Sequence, residues 1–204
     1  MKKYKAIIFD LDGVLIDSKK NMKYSWIEVK KKMKIKKSFN SYFSLIGHPF
    51  NKILLKLLIK KDHKKIQKIF YSHSIKNMKL IKTFRNTKKM LNALRRRKIK
   101  TCIVTSKDKE RTKKIIKLLK LKINFFISPS KNLKGKPYPD QINLAIKRLS
   151  VKKEDVCYIG DMFVDYQSAS NAKIDFIFAK YGYGKNKKQF RLSIKNPYQI
   201  LNFI

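Results

Sequence analysis

The sequence predicts an α/β fold: a Rossmann-like parallel sheet flanked by helices, with a small all-helical segment inserted after the first strand. Three observations carry this. Residues 5–9 are a short apolar run, rich in Ile, that ends on Asp10 and a Gly turn, the pattern of a buried parallel strand. No strand pattern follows between residues 18 and 82. From Thr83 onward helical and strand patterns alternate, which calls for a parallel sheet covered on both faces. The core is therefore expected over residues 1–17 and 83–204, and the helical insert over 18–82.

Within the insert, Trp26, Val29 and Met33 fall at helical spacing, followed by a turn at Ser38 to Ser41. Gly47-His48-Pro49 breaks the chain before an amphipathic stretch carrying Ile53, Leu54, Leu57 and Leu58. A third helix is expected over His63–Lys76. Beyond Thr83, Asn86 or Thr87 caps a helix through Met90, Leu91 and Leu94, and the strand Cys102-Ile103-Val104 ends on Thr105 and Ser106. Helices near 108–119, after Pro139 and near 164–172 then alternate with strands at 125–127, 156–159 and 174–178. Residues 181–184, Tyr-Gly-Tyr-Gly, lead into a basic segment and a short terminal helix near 197–203.

Length and composition bound the function. A chain of 204 residues holds one full core plus a small module. No apolar run approaches the roughly 18 residues of a membrane span, and the apolar stretch after Lys2 and Lys3 is cut short by Asp10 and Asp12 without a signal-cleavage site. Cys102 and Cys157 sit inside apolar strand patterns, so no disulfide or zinc site is indicated and a reducing cytoplasm is the expected compartment. The net charge of +39 would attract any polyanion. Yet lysines are spread through every segment without a basic tail or Arg-aromatic cluster, which points to a compositional bias more than to a nucleic-acid groove. Monomer and homodimer are both compatible with the sequence.

Acidic residues number only 13, and five of them, Asp10, Asp12, Asp17, Asp161 and Asp165, fall in two short stretches. Side chains at i and i+2 of extended backbone share a side, so Asp10 and Asp12 face one crevice. Such a pair is tolerated when a divalent cation lies between them or when one holds a proton. Three apolar strands end on polar chemistry, at Asp10, Thr105 and Asp161, and in a parallel sheet these ends converge at the edge where ligands bind. Asp161 also fits a helix N-cap, Thr105 and Ser106 an ordinary cap, and Lys136 is one of many lysines, although Gly135, Pro137 and Pro139 set it on a rigid turn before a helix.

Taken together, Asp10-Leu11-Asp12-Gly13-Val14, Thr105-Ser106, Lys136-Pro137-Tyr138-Pro139-Asp140 and Gly160-Asp161-Met162-Phe163-Val164-Asp165 resemble, in order, the four motifs of the haloacid dehalogenase superfamily. The chain is most similar to its phosphoglycolate phosphatase and beta-phosphoglucomutase-like subgroup. The resemblance covers essentially the whole sequence. It implies that the insert is a cap, that Asp10 is the nucleophile and Asp12 the general acid and base, and that Thr105, Ser106 and Lys136 hold the phosphoryl group. It implies a Mg²⁺ site formed by Asp10, Asp12 through its backbone carbonyl, Asp161 and Asp165, the last directly or through water. Gly47-His48-Pro49 resembles a cap segment, which makes Gly47 and His48 candidate substrate contacts. Asp17 is read as a capping acid at the insert boundary.

The function implied is Mg²⁺-dependent hydrolysis of a small-molecule phosphate ester, phosphoglycolate-like or sugar-phosphate-like. The alternatives are a phosphomutase, whose relatives carry His where Met22 stands here, and a basic nucleic-acid binder. Two departures from the family pattern lie away from the chemistry: Lys173 replaces a common Gly, and Phe84-Arg85-Asn86 replaces a Pro-Gly turn.

Overall fold

The computed structural model describes residues 3–184 and 190–204. Strand β1 (Ala6–Phe9) leads to the short β2 (Ile16–Asp17) and then to four helices, α1 (Lys19–Met33), α2 (Phe39–Phe43), α3 (Phe50–Lys56) and α4 (His63–Lys76). The chain returns through β3 (Lys82–Thr83), which pairs antiparallel with β2. Alternation follows: α5 (Thr87–Arg96), β4 (Lys100–Val104), α6 (Lys109–Leu119), β5 (Phe125–Ile127), α7 (Asp140–Leu149), β6 (Val156–Gly160), α8 (Phe163–Asn171), β7 (Asp175–Ala179) and β8 (Ser193–Ile194). The six-stranded sheet runs β5-β4-β1-β6-β7-β8, parallel at every pairing, with β1 between β4 and β6.

The period of two in β1 divides the core. Ile7 and Phe9 face one side, packed with Met90, Leu91 and Leu94 of α5. Ala6 and Ile8 face the other, packed with Ile142, Ala145, Ile146 and Leu149, the buried stripe of α7. The four helices between β2 and β3 hold a separate apolar cluster around Trp26, Tyr42, Phe50 and Phe70. Trp26 stacks on Tyr42 at 4.6 Å between ring centroids and donates its indole N–H to the Lys37 carbonyl at 3.1 Å. Each such fully buried side chain contributes about 1.5–3 kcal/mol.

Several local expectations are corrected. The turn at Ser38 to Ser41 is the start of α2, because the Ser38 hydroxyl accepts the Ser41 N–H at 3.0 Å and nucleates a helical turn. Leu58 lies beyond α3 with φ of 59° and is 74% exposed, so the amphipathic face ends at Leu57. Asn86 precedes α5 without a side-chain cap; its φ of 68° supplies the left-handed turn that Gly would otherwise make, a conformation Asn tolerates. β2, β3 and β8 are only two residues long, too short to leave a pattern in the sequence, and the terminal helix over Pro197–Phe203 is 3₁₀. The basic segment after Gly184 falls on residues 185–189, outside those described.

Candidate active site

The parallel register places three strand ends side by side. Asp10 follows β1 and donates its N–H to the Ile159 carbonyl of β6 at 2.8 Å, while Thr105 follows β4 and donates to Ile127 of β5 at 3.1 Å. Asp161 follows β6, and Asp165 lies in the first turn of α8. Gly13 completes the turn after β1: its φ is +91°, and a Cβ there would lie 2.1 Å from Asp161 Oδ2.

Lys136 is fully buried, with Nζ 2.7 Å from Asp10 Oδ1 and 2.7 Å from Asp165 Oδ1. Burial opposes its charge, but the two carboxylates outweigh that cost and hold its pKa above the usual lysine range. Asp165 Oδ2 accepts the Met162 N–H at 3.0 Å, and Tyr158 O–H stands 3.2 Å from Asp165 Oδ1. Asp161 Oδ2 accepts the Tyr183 N–H at 2.6 Å, whereas its Oδ1 is buried with no hydrogen-bond partner among the described residues. One carboxylate oxygen from each of Asp10, Asp161 and Asp165 falls within 4.8 Å of the others. Burial, opposed by Lys136 and reinforced by Asp165, pushes the Asp10 carboxyl up to about 7; burial and the two neighbouring carboxylates raise Asp161 well above the ordinary range. A buried, crowded, all-oxygen cluster with one orphaned lone-pair donor is the donor set of a hard divalent cation.

Asp12, grouped with the metal residues from sequence, keeps its carboxylate out of this triad. Its Oδ1 accepts the Ser18 hydroxyl, and its Oδ2 lies 3.2 Å from Lys107 Nζ. Only its backbone carbonyl is left for a role at the triad.

Asp10 and Asp12 form the floor of a cavity of about 60 Å³, also lined by Gly47, His48, Thr105 and Ser106. Six of the residues singled out from sequence thus meet in one space, with Lys136, Asp161 and Asp165 grouped behind Asp10. Thr105 Oγ1 accepts the Lys107 N–H at 3.1 Å, and the Ser106 hydroxyl is turned to the helical layer, donating to the Gly47 carbonyl at 2.6 Å. His48 is half-buried and its Nδ1 has no hydrogen-bond partner among the described residues. Burial, with Lys56 and Lys52 nearby, lowers its pKa.

Sequence reasoning missed the two cations on the cavity wall. Lys107 is buried beside Asp12, and burial lowers its pKa against the pull of that carboxylate. Arg111 is buried too, with Nε 2.5 Å from Asp108 Oδ2 and its guanidinium 3.8 Å from the Tyr71 ring centroid. Lys107 was hidden among 52 basic residues, but Arg111 left a signal: it precedes Thr112 and Ile115 on the apolar stripe of α6, where a charge is out of place.

Comparisons with known proteins bear on the family. A phosphoglycolate phosphatase of Aquifex aeolicus is 26% identical over 189 residues, covering 91% of this chain and 89% of its own. A glyceraldehyde 3-phosphate phosphatase of Pyrococcus furiosus is 25% identical over 202 residues, covering 89% and 83%. A haloacid dehalogenase-like family hydrolase from Streptococcus pneumoniae superposes with a TM-score of 0.86 at 20% identity, over 98% of both chains. The family model for haloacid dehalogenase-like hydrolases matches residues 7–179, spanning both the strand-end carboxylates and the helical insert, and the chain belongs to that family.

Proposed function

We propose that the protein is a phosphatase that hydrolyses a small-molecule phosphate monoester through an aspartyl-phosphate on Asp10. The observation that carries this is the placing of Asp10 at the end of β1, open to the cavity on one side and bonded to Lys136 on the other. An Asp10 oxygen attacks phosphorus and the bond to the leaving oxygen breaks. Asp12 gives that oxygen a proton, then takes one from the water that attacks the aspartyl-phosphate and releases inorganic phosphate. Lys136 holds positive charge against Asp10 throughout, and Thr105 lies beside the transferred group. Asp10, Asp161 and Asp165 would hold Mg²⁺, which when bound neutralises charge on the phosphoryl oxygens.

The helical layer is read as a cap over the leaving group, with Gly47 and His48 on its inner side. Lys107 and Arg111 favour a leaving group that carries its own negative charge, as in phosphoglycolate. Met22 on the cavity wall supports hydrolysis over transfer between sugars, since a thioether moves no proton.

Phosphate release from a panel of small esters tests the reading, with Mg²⁺, with EDTA, and with Asp10→Asn beside the native chain. Release should need the cation and fall on the order of 10⁴-fold or more in a variant that still folds. Retained turnover in Asp10→Asn would sink the mechanism, and a product that keeps its phosphate would replace hydrolysis by transfer.

A further inference from the structure

The segment after β7 lies against the acid-bearing turn and is not used by the mechanism above. Tyr181 donates its hydroxyl to the Val14 carbonyl at 3.0 Å. Gly182 passes so close that a Cβ there would lie 2.3 Å from Asp161 Cβ and 2.5 Å from the Gly13 carbonyl oxygen. The Tyr183 hydroxyl accepts the Ser18 N–H at 2.6 Å and donates to Asp17 Oδ1 at 2.7 Å. Ser18 is fully buried, and its own hydroxyl donates to Asp12 Oδ1. On its other side, the Tyr183 ring packs on Phe43 of α2 at 5.0 Å and on Phe84, just past β3, at 6.3 Å. The ribbon of β2 and β3 that joins the helical layer to the sheet has only two residues in each strand, which is marginal without a pin.

We propose that Tyr183 is a positioning residue: by fixing Ser18 it sets the orientation of Asp12, and by packing on Phe43 it makes that orientation depend on the seating of the helical layer. The inference rests on the reading of Asp12 as the proton donor. It follows from the bonding that Ser18 has one polar group on each partner, so a displacement of its backbone is passed to the Asp12 carboxylate. A misplacement of about 1 Å at a reacting group costs on the order of 10²-fold in rate. A seated layer thus holds Asp12 correctly, and a lifted one releases it.

The test compares two esters that differ in their need for a proton. An alkyl phosphate such as 2-glycerophosphate leaves as a poor alkoxide, whereas p-nitrophenyl phosphate leaves as a stable phenolate. Tyr183→Phe, which keeps the ring and removes the hydroxyl, should lower kcat on the alkyl ester about tenfold. On the aryl ester the burst of p-nitrophenolate, which reports phosphoryl transfer to Asp10 alone, should keep its rate within about twofold, while hydrolysis of the aspartyl-phosphate, common to both esters, slows alike. Ser18→Ala should do the same, and the double variant should be no slower than the slower single one. Equal losses on both esters in the single-turnover rate of leaving-group release, or additive losses in the double variant, would overturn the inference. Asp12→Asn serves as the reference: if it discriminates between the esters and Tyr183→Phe does not, the positioning role alone fails. If neither discriminates, the reading of Asp12 fails and takes this inference with it.

Discussion

The floor and the roof of the cavity are built on opposite principles. On the floor the charged groups are tied to one another: Lys136 bridges Asp10 and Asp165, and Asp165 is fixed by the Met162 N–H beside the Tyr158 hydroxyl. The roof is made of side chains that are at once the core of the helical layer and the wall of the cavity. Phe50, Phe70 and Tyr42 pack on one another at 5.1–6.3 Å between ring centroids and line the space over Asp10. A reaction fixes the geometry of the groups that perform it, so the floor is over-determined. A roof that only has to exclude water and fit a leaving group is satisfied by packing.

The strongest way to break this contrast is on the floor. Lys136→Met leaves Asp10 and Asp165 buried with their shared cation gone, an uncompensated charge that costs about 3–5 kcal/mol. The urea midpoint should fall accordingly, and kcat should fall about 10³-fold, well beyond what a roof substitution does. A Lys136→Met protein with native stability would mean that the floor is not held by this ion network.

The next effect is smaller and concerns the cation the floor would bind. With Asp10 pushed up to about 7 and Asp161 raised well above the ordinary range, the folded, cation-free chain keeps protons on these carboxyls at pH values where the unfolded chain has lost them. Folded pKa values above the unfolded ones give stability that is present below the ordinary carboxyl value and is lost as pH rises through the raised values. Mg²⁺ must displace these protons, so its stabilisation should grow from pH 6 to pH 8. At 100 times its Kd the gain is about 2.7 kcal/mol, or about 5–10 °C in Tm for a chain of this size. Melting curves at the two pH values check the sign, and Asp161→Asn should shrink the shift. A Mg²⁺ shift that is larger at pH 6 would contradict the assignment of these carboxylates.

The same contrast explains what could be read from the sequence. The floor was legible because three of its groups, Asp10, Thr105 and Asp161, directly follow apolar strands, and parallel topology brings those ends to one edge. Lys136 became legible through its glycine and prolines. The direction of the Asp12 carboxylate was not, because it is set by Ser18 and Lys107, one nine residues past β1 and the other on a different loop. Nor was the roof, since an aromatic residue at helical spacing in α3 or α4 looks the same whether it faces a core or a cavity. Arg111 sat in plain view as a charge on an apolar stripe, but its partners, Tyr71 and Asp108, come from α4 and the loop before α6, and only the fold puts them together.

His48 marks the weak end of the comparison, a polar group on the roof whose buried Nδ1 has no partner among the described residues. Burial and the nearby Lys56 and Lys52 hold its pKa below the usual 6.5, with Asp165 pulling the other way. The unfolded chain therefore takes up a proton near pH 6.5 that the folded chain refuses, so stability is lost as pH falls below that value. His48→Gln should remove that part of the acid slope, and urea midpoints of the two proteins should diverge between pH 7.5 and pH 5, with the native chain falling further. Its kcat at pH 7.5 should change by less than about threefold, since the proposed mechanism assigns its proton transfers to Asp12 and not to this ring. A large loss of kcat with an unchanged acid slope would move His48 from the packing of the roof into the chemistry of the floor, and the division between them would have to be redrawn.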